Sequence, residues 1–405
     1  MDIRSKLGLY KDNLQSKPSG PVQTGRDIQD LIPGRLCKNE YGSFYLAEKR
    51  HPASLWHGGR SLGEALSPEP RILSVLSSDG RIVPPESLVY LDTETTGLSG
   101  GAGTVAFLVG AGRFEDGEFV LRQYVMRDYD EEAAMLHSLN DLLSGCSGLV
   151  TFNGRAFDWN LLQSRFIANR MRPVLRDPVH FDLLYPSRRI WGLKLESCRL
   201  SSLEENILGE GREDDIPGAM IPGVYFRYLE DRNAARMEKV IKHNELDILS
   251  MVSLIARISE MLQSPLSRTD GGHELLGVGR VYEAREEYEQ MEECLTTCSR
   301  SDIPFVRSAA AKRLAGRYKK TGRYDRALGI WREMASGTGI ESIFPYIELA
   351  MYYEHRERDF PRALEYVDRA VQTVLRTGVA GNRQFDKLRR RQERLKRKAA
   401  GNGPG

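Results

Sequence analysis

Two acidic residues stand one position apart at the end of an apolar, strand-forming run. The run Leu88–Leu91 leads directly into Asp92 and Glu94, and alternate residues of a strand point to the same side. Two carboxylates placed this close repel each other unless something compensates their charge. For a lone pair of this kind, acids splayed into solvent at a strand end are the more frequent arrangement. A metal site therefore requires further ligands elsewhere in the chain.

Two later segments carry residues that could supply those ligands. An apolar strand at Gly148–Thr151 runs into a turn and then into a helix that bears Asp158. Farther along, His243 and Asp247 are four residues apart on a strongly periodic helix and therefore share one face. Taken singly, each has an ordinary interpretation. Asp158 favours the positive end of a helix dipole, and His243 with Asp247 is an exposed polar pair on an amphipathic helix.

Taken together, these segments offer four carboxylates, Asp92, Glu94, Asp158 and Asp247, and one imidazole, His243. Four convergent carboxylates cannot all stay ionised without cations, whereas two Mg²⁺ or Mn²⁺ ions about 3.5–4 Å apart are held by such a set. Oxygen ligands with a single histidine favour these ions over Zn²⁺. A two-ion site of this kind hydrolyses phosphodiester bonds, with the histidine accepting the proton of the attacking water.

The motifs "DTETTG", "TFNGRAFD" and "HNELD" resemble the three exonuclease motifs of the DEDD superfamily. The resemblance implies a ribonuclease-H-like fold and 3′–5′ degradation of nucleic acid. It also implies that Asp92, Glu94, Asp158 and Asp247 are metal ligands and that His243 is the general base. The histidine departs from the family pattern, because members of the His type usually have H-x4-D and this chain has H-x3-D.

The segments between the motifs resemble one bacterial branch in more detail. "HFDLLYPSRRIWGLKLESCRLSSLEENILG" and "REDDIPGAMIPGVYFRYL" are similar to the YprB-like ribonuclease-H-like proteins, also called mitomycin repair factor B. That branch joins the nuclease domain to C-terminal tetratricopeptide repeats. The resemblance covers Ser87 to about Leu262 and implies DNA as the substrate, a role in DNA repair and a helicase as a plausible partner. Asp182 in "HFDLL" resembles an acid common between the second and third motifs, with a secondary role.

Strands and helices must position these residues. Along the chain, the first strands are consecutive, as in a hairpin, and the later strands alternate with helices. "SLVYLDTE", "TVAFLVGAGRFEDGEFVLRQYVM" and "GLVTFNG" predict strands, the second piece being a hairpin that turns at "EDGE". "DEEAAMLHSLNDLL", "FDWNLLQSRFIANRM" and "MEKVIKHNELDILSMVSLIARISEML" predict helices. The pattern predicts an α/β mixed sheet covered by helices over residues 86–264, after a turn-rich, β-containing lead-in at 1–85.

An all-α region of tetratricopeptide repeats is predicted for residues 272–380. "LAGRYKKTGRYDRAL" aligns with "LAMYYEHRERDFPRAL", and more loosely with "VGRVYEAREEYEQM", at a period of about 35 residues. Each copy is typical of two helices joined by a short turn. Such repeats would supply a platform for a protein partner or for substrate.

The last segment, 381–405, is predicted to be a basic, disordered tail. Between Arg383 and Lys398 it contains nine Lys or Arg and two Asp or Glu, whereas the whole chain of 405 residues has a net charge of only +2. The segment therefore carries +7, and the remainder of the chain carries −5. A solvated charged face is the ordinary interpretation. A sequence-independent contact with phosphates is the alternative, and it predicts salt-sensitive binding.

Composition favours a cytoplasmic protein. No apolar run approaches the roughly 18 residues that span a bilayer, and the first 20 residues lack the apolar centre of a secretion signal. The five cysteines are odd in number and scattered, which favours a reducing compartment. Cys294 and Cys298 are four residues apart and are expected to be small helix-packing residues.

Three other features are weaker. The glycine-rich "GLSGGAGT" lacks the G-K-[ST] ending of a phosphate loop and predicts a flexible turn. Asp214 and Asp215 are expected to be loop acids that help to close the site. Four aromatic residues could stack on unpaired bases, although most are expected in the core: Phe152, Phe157, Trp159 and Tyr225.

Three functions from two classes follow from these features. The first is a divalent-metal-dependent 3′–5′ exonuclease that acts on DNA. The second is a non-catalytic tetratricopeptide adaptor on a nuclease-like scaffold, against which the presence of all five expected site residues counts. The third is an RNA-processing exonuclease with the same site, since metal ions bound to phosphates do not distinguish RNA from DNA.

Overall fold

The computed structural model describes residues 26–97, 103–336, 342–378 and 382–401. Within these residues the chain forms two compact units. The first contains the chain up to Pro70 together with Ser77–Leu183 and Leu200–Ala256. The second contains Arg71–Leu76, Leu184–Arg199 and the chain from Arg257 onward.

The first unit is built on a seven-stranded mixed sheet in the order β1-β2-β7-β6-β5-β8-β9. Strands β1, β2, β7, β6 and β5 pair antiparallel, whereas β5, β8 and β9 pair parallel. Strands β3 and β4 form a separate two-stranded ribbon. The strands are β1 Arg35–Asn39, β2 Gly42–Pro52, β3 Trp56–His57, β4 Arg60–Ser61, β5 Leu88–Thr95, β6 Ala106–Glu115, β7 Glu118–Val125, β8 Gly148–Thr151 and β9 Val179–Asp182.

Helices pack against this sheet and bury its apolar side chains. Leu91 and Val109 of the sheet belong to one buried cluster with Leu139 and Leu162, which project from helices at the spacing the sequence predicts. The mixed sheet covered by helices is therefore confirmed. The helices are α1 Ile28–Leu31, α3 Glu132–Leu143, α4 Asp158–Ala168, α6 Leu200–Leu203, α7 Ile221–Asp231 and α8 Met237–Gln263, of which α8 extends into the second unit.

The β6–β7 hairpin turns at the predicted position. Asp116 and Gly117 have φ values of 49° and 82°, so both central residues are left-handed, as a type I′ turn requires. Asp tolerates this conformation and Gly adopts it without strain. The turn fixes the register of β6, the strand that pairs with the acidic end of β5.

The lead-in contains β-strands, as predicted, and its longest strand extends the sheet of the first unit. Strand β2 pairs with β7 over eight residues, from Tyr45 opposite Val125 to Pro52 opposite Glu118. Its residues Phe44–Ala47 are buried. The segment looked independent because its apolar pieces are short, but they complete one face of the sheet and are stable only there.

The predicted end of the first domain needs correction, because residues 184–199 belong to the second unit. Helix α5, Leu184–Trp191, packs against α10, Gly272–Ala284. A Cβ at Gly277 would lie 2.7 Å from the carbonyl oxygen of Ile190, so only glycine permits this approach. The indole Nε1–H of Trp191 donates to Glu274 Oε1 at 3.1 Å, which satisfies both polar groups in the interior.

The described part of residues 272–380 is helical, as predicted. Each of the three sequence copies lies on two consecutive helices joined by a short turn, an arrangement consistent with repeats. Cys294 and Cys298 are buried on one helix face, and burial raises the pKa of both thiols to about 12, so their packing role is confirmed. The helices are α2 Pro70–Leu76, α9 Pro265–Arg268, α10, α11 Tyr288–Cys298, α12 Pro304–Lys320, α13 Tyr324–Ser336, α14 Phe344–Tyr352, α15 Phe360–Thr377 and α16 Asn382–Gly401.

The basic segment near the C-terminus forms helix α16, and the prediction that it is disordered is wrong for residues 382–401. Leu388 and Leu395 are buried at a seven-residue spacing, which provides the helix with a packing face. The carboxylate of Glu354 accepts from Arg394 at 2.8 Å and from Lys398 at 3.2 Å. Local charge predicts repulsion, but this apolar face and a buried counter-ion stabilise the helix.

Candidate metal centre

The acidic end of β5 changes from buried to partly exposed at the predicted position. Residues 88–91 are buried, and Asp92 and Glu94 follow on the face that alternation assigns to them. They pair with Gly110 and Leu108 of β6, and the register shifts immediately after Glu94. Such an irregularity ends regular pairing next to the acids and re-aims the side chains there.

Asp92 is held by a residue that the sequence did not single out. Asn244 of α8 donates from Nδ2 to Asp92 Oδ2 at 2.8 Å, and its own Oδ1 accepts from Gln123 Nε2 at 2.9 Å. A Cβ at Gly110 would overlap Asn244, so glycine at this position lets α8 approach the sheet. The only signal for Asn244 in the sequence is its place beside His243 in "KHNELD".

Asp158 is the first residue of α4, where the positive end of the helix dipole favours an acid. Thr93, the residue between the two strand acids, donates its hydroxyl to Asp158 Oδ1. A Cβ at Gly154 would lie 2.8 Å from Asp158 Oδ2, which explains the glycine of "FNG". The turn between β8 and α4 thus delivers Asp158 to the same end of β5.

Asp182 supports this turn. It ends β9, and its carboxylate accepts from the backbone N–H of Asn153 at 2.8 Å and of Arg155 at 3.2 Å. Asn153 has a φ of 67°, a left-handed conformation that asparagine tolerates better than most residues. Asp182 therefore orders the turn that carries Asp158, which agrees with the secondary role expected for it.

His243 and Asp247 lie one turn apart on α8, with His243 Nε2 3.6 Å from Asp247 Oδ2. On its other side, His243 Nδ1 is 2.9 Å from both carboxylate oxygens of Asp215. Burial alone would raise the pKa of Asp215, but the bonds from His243 and Arg212 hold that pKa below its usual value. Asp215 is therefore a direct partner of the imidazole, which gives the predicted loop acid a specific contact. Asp214 is exposed and pairs with Lys239 at 2.6 Å.

Arg212 is the second residue that sequence reasoning missed. Its guanidinium is nearly buried and donates to Glu204 at 2.6 Å, to Asp215 at 3.0 Å and to Asp247. These partners raise the arginine's pKa against the opposing effect of burial. Arg212 supplies the one positive charge seen in direct contact with the candidate acids among the described residues.

Like charge and burial dominate the electrostatics at the end of β5. The pKa of Asp92 is raised well above its usual value by burial and then by Asp247 and Asp158. Burial and the same neighbours also raise the pKa of Glu94. Burial raises the pKa of Asp158 to about 6, despite the hydrogen bond from Thr93. The carboxylates lie close enough to oppose one another's ionisation, which is the condition that a bound cation relieves.

The donor set fits a divalent cation. Among the described residues, Glu94, His243 and Asp247 offer ligand atoms that all lie within 4.8 Å of one another. Asp92 and Asp158 do not belong to this group of three, although their charges act on it. Carboxylate oxygens with one imidazole match Mg²⁺ or Mn²⁺ rather than a thiolate-bound metal.

The four aromatic residues divide between the core and the surface, and Phe152 is half-buried. Trp159 and Tyr225 are buried, and the ring of Tyr225 stacks on Phe107 at 4.0 Å between centroids. Phe157 is 55% exposed, so it can contact a ligand without rearrangement. Most of the glycine-rich turn, residues 98–102, lies outside the described residues.

Comparison with known proteins agrees with this fold. Residues 89–259 match a family model described as the RNase_H superfamily, a stretch that includes all five candidate site residues. The chain is also 31% identical to the protein YprB of Bacillus subtilis (strain 168) over 360 residues, which cover 87% of this chain and 86% of YprB.

These similarities define first a class and then a family. The fold is that of a ribonuclease-H-like domain with a helical region after it. Residues 89–259 form a domain of the RNase_H superfamily, and the chain belongs to the family of YprB. The RNase_H superfamily domain supports the assignment of the protein as a hydrolase that binds nucleic acid and uses divalent metal ions. No helix among the described residues is long and apolar enough to cross a membrane.

Proposed function

We propose that the protein is a divalent-metal-dependent 3′–5′ exonuclease of the DEDD type, with DNA as its substrate. The proposal rests on one observation. Carboxylates that repel one another lie together at the end of β5, and they face a histidine on α8. The metal ligands are Asp92, Glu94, Asp158 and Asp247. Two bound Mg²⁺ or Mn²⁺ ions would supply an acidified water and charge stabilisation for the leaving oxygen.

His243 is the proposed general base, and its surroundings support the assignment. Arg212 Nη1 also lies 3.1 Å from Nδ1, but both carboxylate oxygens of Asp215 are closer, at 2.9 Å, and favour the tautomer with the proton on Nδ1, because an N–H donates to a carboxylate. Nε2 then carries the lone pair and points toward Asp247 at 3.6 Å, where it can accept a proton. Asp215 thus positions the base, as an acid partner does in other histidine-dependent hydrolases.

The H-x3-D spacing is compatible with this role. Residues four apart on a helix lie on one face, so His243 stays next to the candidate ligand Asp247. Removing a general base typically lowers the rate about 10²–10⁴-fold, which is less than the loss expected when a metal ligand is removed.

The resemblance to the YprB-like branch supports the finer parts of the proposal. These are DNA over RNA, a role in DNA repair in the cytoplasm, and a helicase as partner of the predicted tetratricopeptide repeats. Exonucleolytic cleavage of RNA by the same residues is the competing function, because ions bound to phosphates act on both nucleic acids.

The test uses purified full-length protein with DNA and RNA labelled at either end, in Mg²⁺, in Mn²⁺ and in chelator. Stepwise loss of nucleotides from the 3′ end of DNA is expected with either ion and not with chelator. Asp92→Asn should abolish it, His243→Ala should slow it about 10²–10⁴-fold, and Asp214→Asn, a nearby exposed acid, should leave it unchanged.

Each result that contradicts the proposal has a distinct form. Internal cuts would replace the exonuclease with an endonuclease, and loss of RNA alone would favour the RNA-processing function. If the wild type and Asp92→Asn leave every substrate equally intact in both ions, the nuclease proposal fails and the adaptor function remains.

A further inference from the structure

A basic groove lies within the second unit, between helices α14 and α16. It has a volume of about 710 Å³, and Ile347, Met351 and Leu388 form its apolar floor. The side chains that line the rest of it are Arg383, Gln384, Lys387, Arg390, Arg391 and Arg394. Five of these nine described lining residues are cationic, and none is acidic.

The positive charge of the groove is only partly compensated. Arg394 and Arg391 lie 2.8 and 3.7 Å from the carboxylate of Glu354, which they share. Among the described residues, no carboxylate lies within ion-pair distance of Arg383, Lys387 or Arg390. Like charges concentrated on one helix face destabilise that helix, so their placement around a groove indicates a polyanionic ligand.

The basic residues follow one face of α16 at helical spacing. Arg383, Lys387, Arg390 and Arg394 recur every three or four residues, and 11 residues separate the first from the last. At about 1.5 Å per residue this stripe is about 16 Å long. At the compact duplex spacing of about 3.4 Å per nucleotide it follows at most roughly five phosphates of one strand, and fewer of an extended strand.

We propose that this groove binds the backbone of single-stranded nucleic acid independently of the metal centre. Arginine matches phosphate oxygens with paired donors. The apolar floor can cover the faces of unpaired bases, which a duplex keeps stacked inside. An acidic protein segment matches the floor at Ile347 and Met351 only where aromatic residues accompany its acids, whereas every nucleotide carries both a phosphate and a flat base, so nucleic acid fits better.

Binding in this groove would add to the proposed nuclease function, on which the choice of ligand rests. The two can be tested separately, because binding is measured in chelator, where metal-dependent cleavage does not occur. Fluorescence anisotropy of a labelled 20-nucleotide DNA strand, in chelator, is followed as a function of salt for the full-length protein. The test variant is Lys387→Gln with Arg390→Gln. The matched control is Arg389→Gln with Lys396→Gln, which removes the same charge from the opposite side of α16.

Two lost phosphate contacts should reduce the slope of log affinity against log salt by about 1.4 and weaken binding on the order of 20-fold at 0.1 M salt. The control should bind like the wild type, and all variants should melt alike because the four side chains are exposed.

Two results would overturn the groove as a nucleic-acid site. Equal weakening by the test and control variants would mean that only the net charge of the helix matters. Competition by a poly-glutamate peptide of the same charge, at the same concentration as unlabelled DNA, would identify an acidic protein segment as the ligand. Failure of the groove would leave the proposed cleavage at Asp92 and Asp247 intact, and absence of cleavage would leave the measured binding intact.

Discussion

Replacing Asp158 with asparagine should stabilise the protein at neutral pH when divalent ions are absent. Burial raises the pKa of Asp158 to about 6 from the usual 3.8. The folded state therefore favours the protonated form. The stabilisation from that proton is fully present below a pH of about 4 and is lost as the pH rises through about 6.

The magnitude follows from the size of the shift. About two pKa units at about 1.4 kcal/mol each give roughly 3 kcal/mol, by which ionised Asp158 destabilises the folded state at pH 8. Asparagine carries no charge, and its Oδ1 can still accept from the Thr93 hydroxyl that bonds Asp158. For a unit of this size, 1 kcal/mol changes the melting temperature by about 2–4 °C, so a rise of roughly 6–12 °C is expected.

Thermal melts in chelator between pH 5 and pH 8.5 measure this effect. The gain should shrink as the pH falls, and Asp116→Asn should show no such trend because Asp116 is exposed at a hairpin tip. Added Mn²⁺ should raise the melting temperature of the wild type more than that of Asp158→Asn. A loss of stability in Asp158→Asn that is equal at pH 5 and pH 8.5 would refute the electrostatic reasoning.

Three further predictions concern the surroundings of the metal centre. Arg212→Gln should lower the free energy of unfolding in urea by about 3–5 kcal/mol, because it leaves Glu204 buried without its partner. A double variant that also carries Glu204→Gln should recover part of this loss. No recovery would contradict the pairing. Gly110→Ala should lower both stability and activity, because its methyl group would overlap Asn244. Gly316→Ala, at an open helical position, is the control and should be tolerated. Thermal melting and cleavage assays compare the two variants. Removal of metal ions by a chelator should lower the wild-type melting temperature more at pH 8 than at pH 5.5. At the lower pH, protons neutralise the carboxyls of Asp92 and Glu94 in place of the ions. A larger effect of the chelator at pH 5.5 would contradict this prediction.

Local patterns predicted those parts of the fold whose signal is local. The run before Asp92, the "EDGE" hairpin and the periodic helix around His243 depend on alternation, turn residues and amphipathic spacing, all contained in short windows. The place of the strands near Tyr45 and of the helix at Trp191 was not predicted, because their partners lie far along the chain. Tertiary pairing, which a window of the sequence does not contain, decides their place.

The same distinction applies to the site. Asp92, Glu94, Asp158, His243 and Asp247 were predicted because acids at strand ends and on one helix face are visible as spacing. Arg212 stands in a loop without periodicity, and its partners are 3–35 residues away. Its importance depends on a charge network that exists only after folding. A family motif shows the residues that perform chemistry more readily than the residues that balance their charge.

The path of the chain between the two units has a consequence for synthesis. The polypeptide passes from one unit to the other after Pro70, Leu76, Leu183, Arg199 and Ala256. No single cut of the backbone therefore releases either unit whole, and truncation near Pro265 removes the packing partner of α5. On the ribosome, Trp191 emerges about 80 residues before the helix at Gly272–Ala284 that covers it, a delay of roughly 4–16 s at 5–20 residues per second. During that interval a nascent apolar helix is available to chaperones.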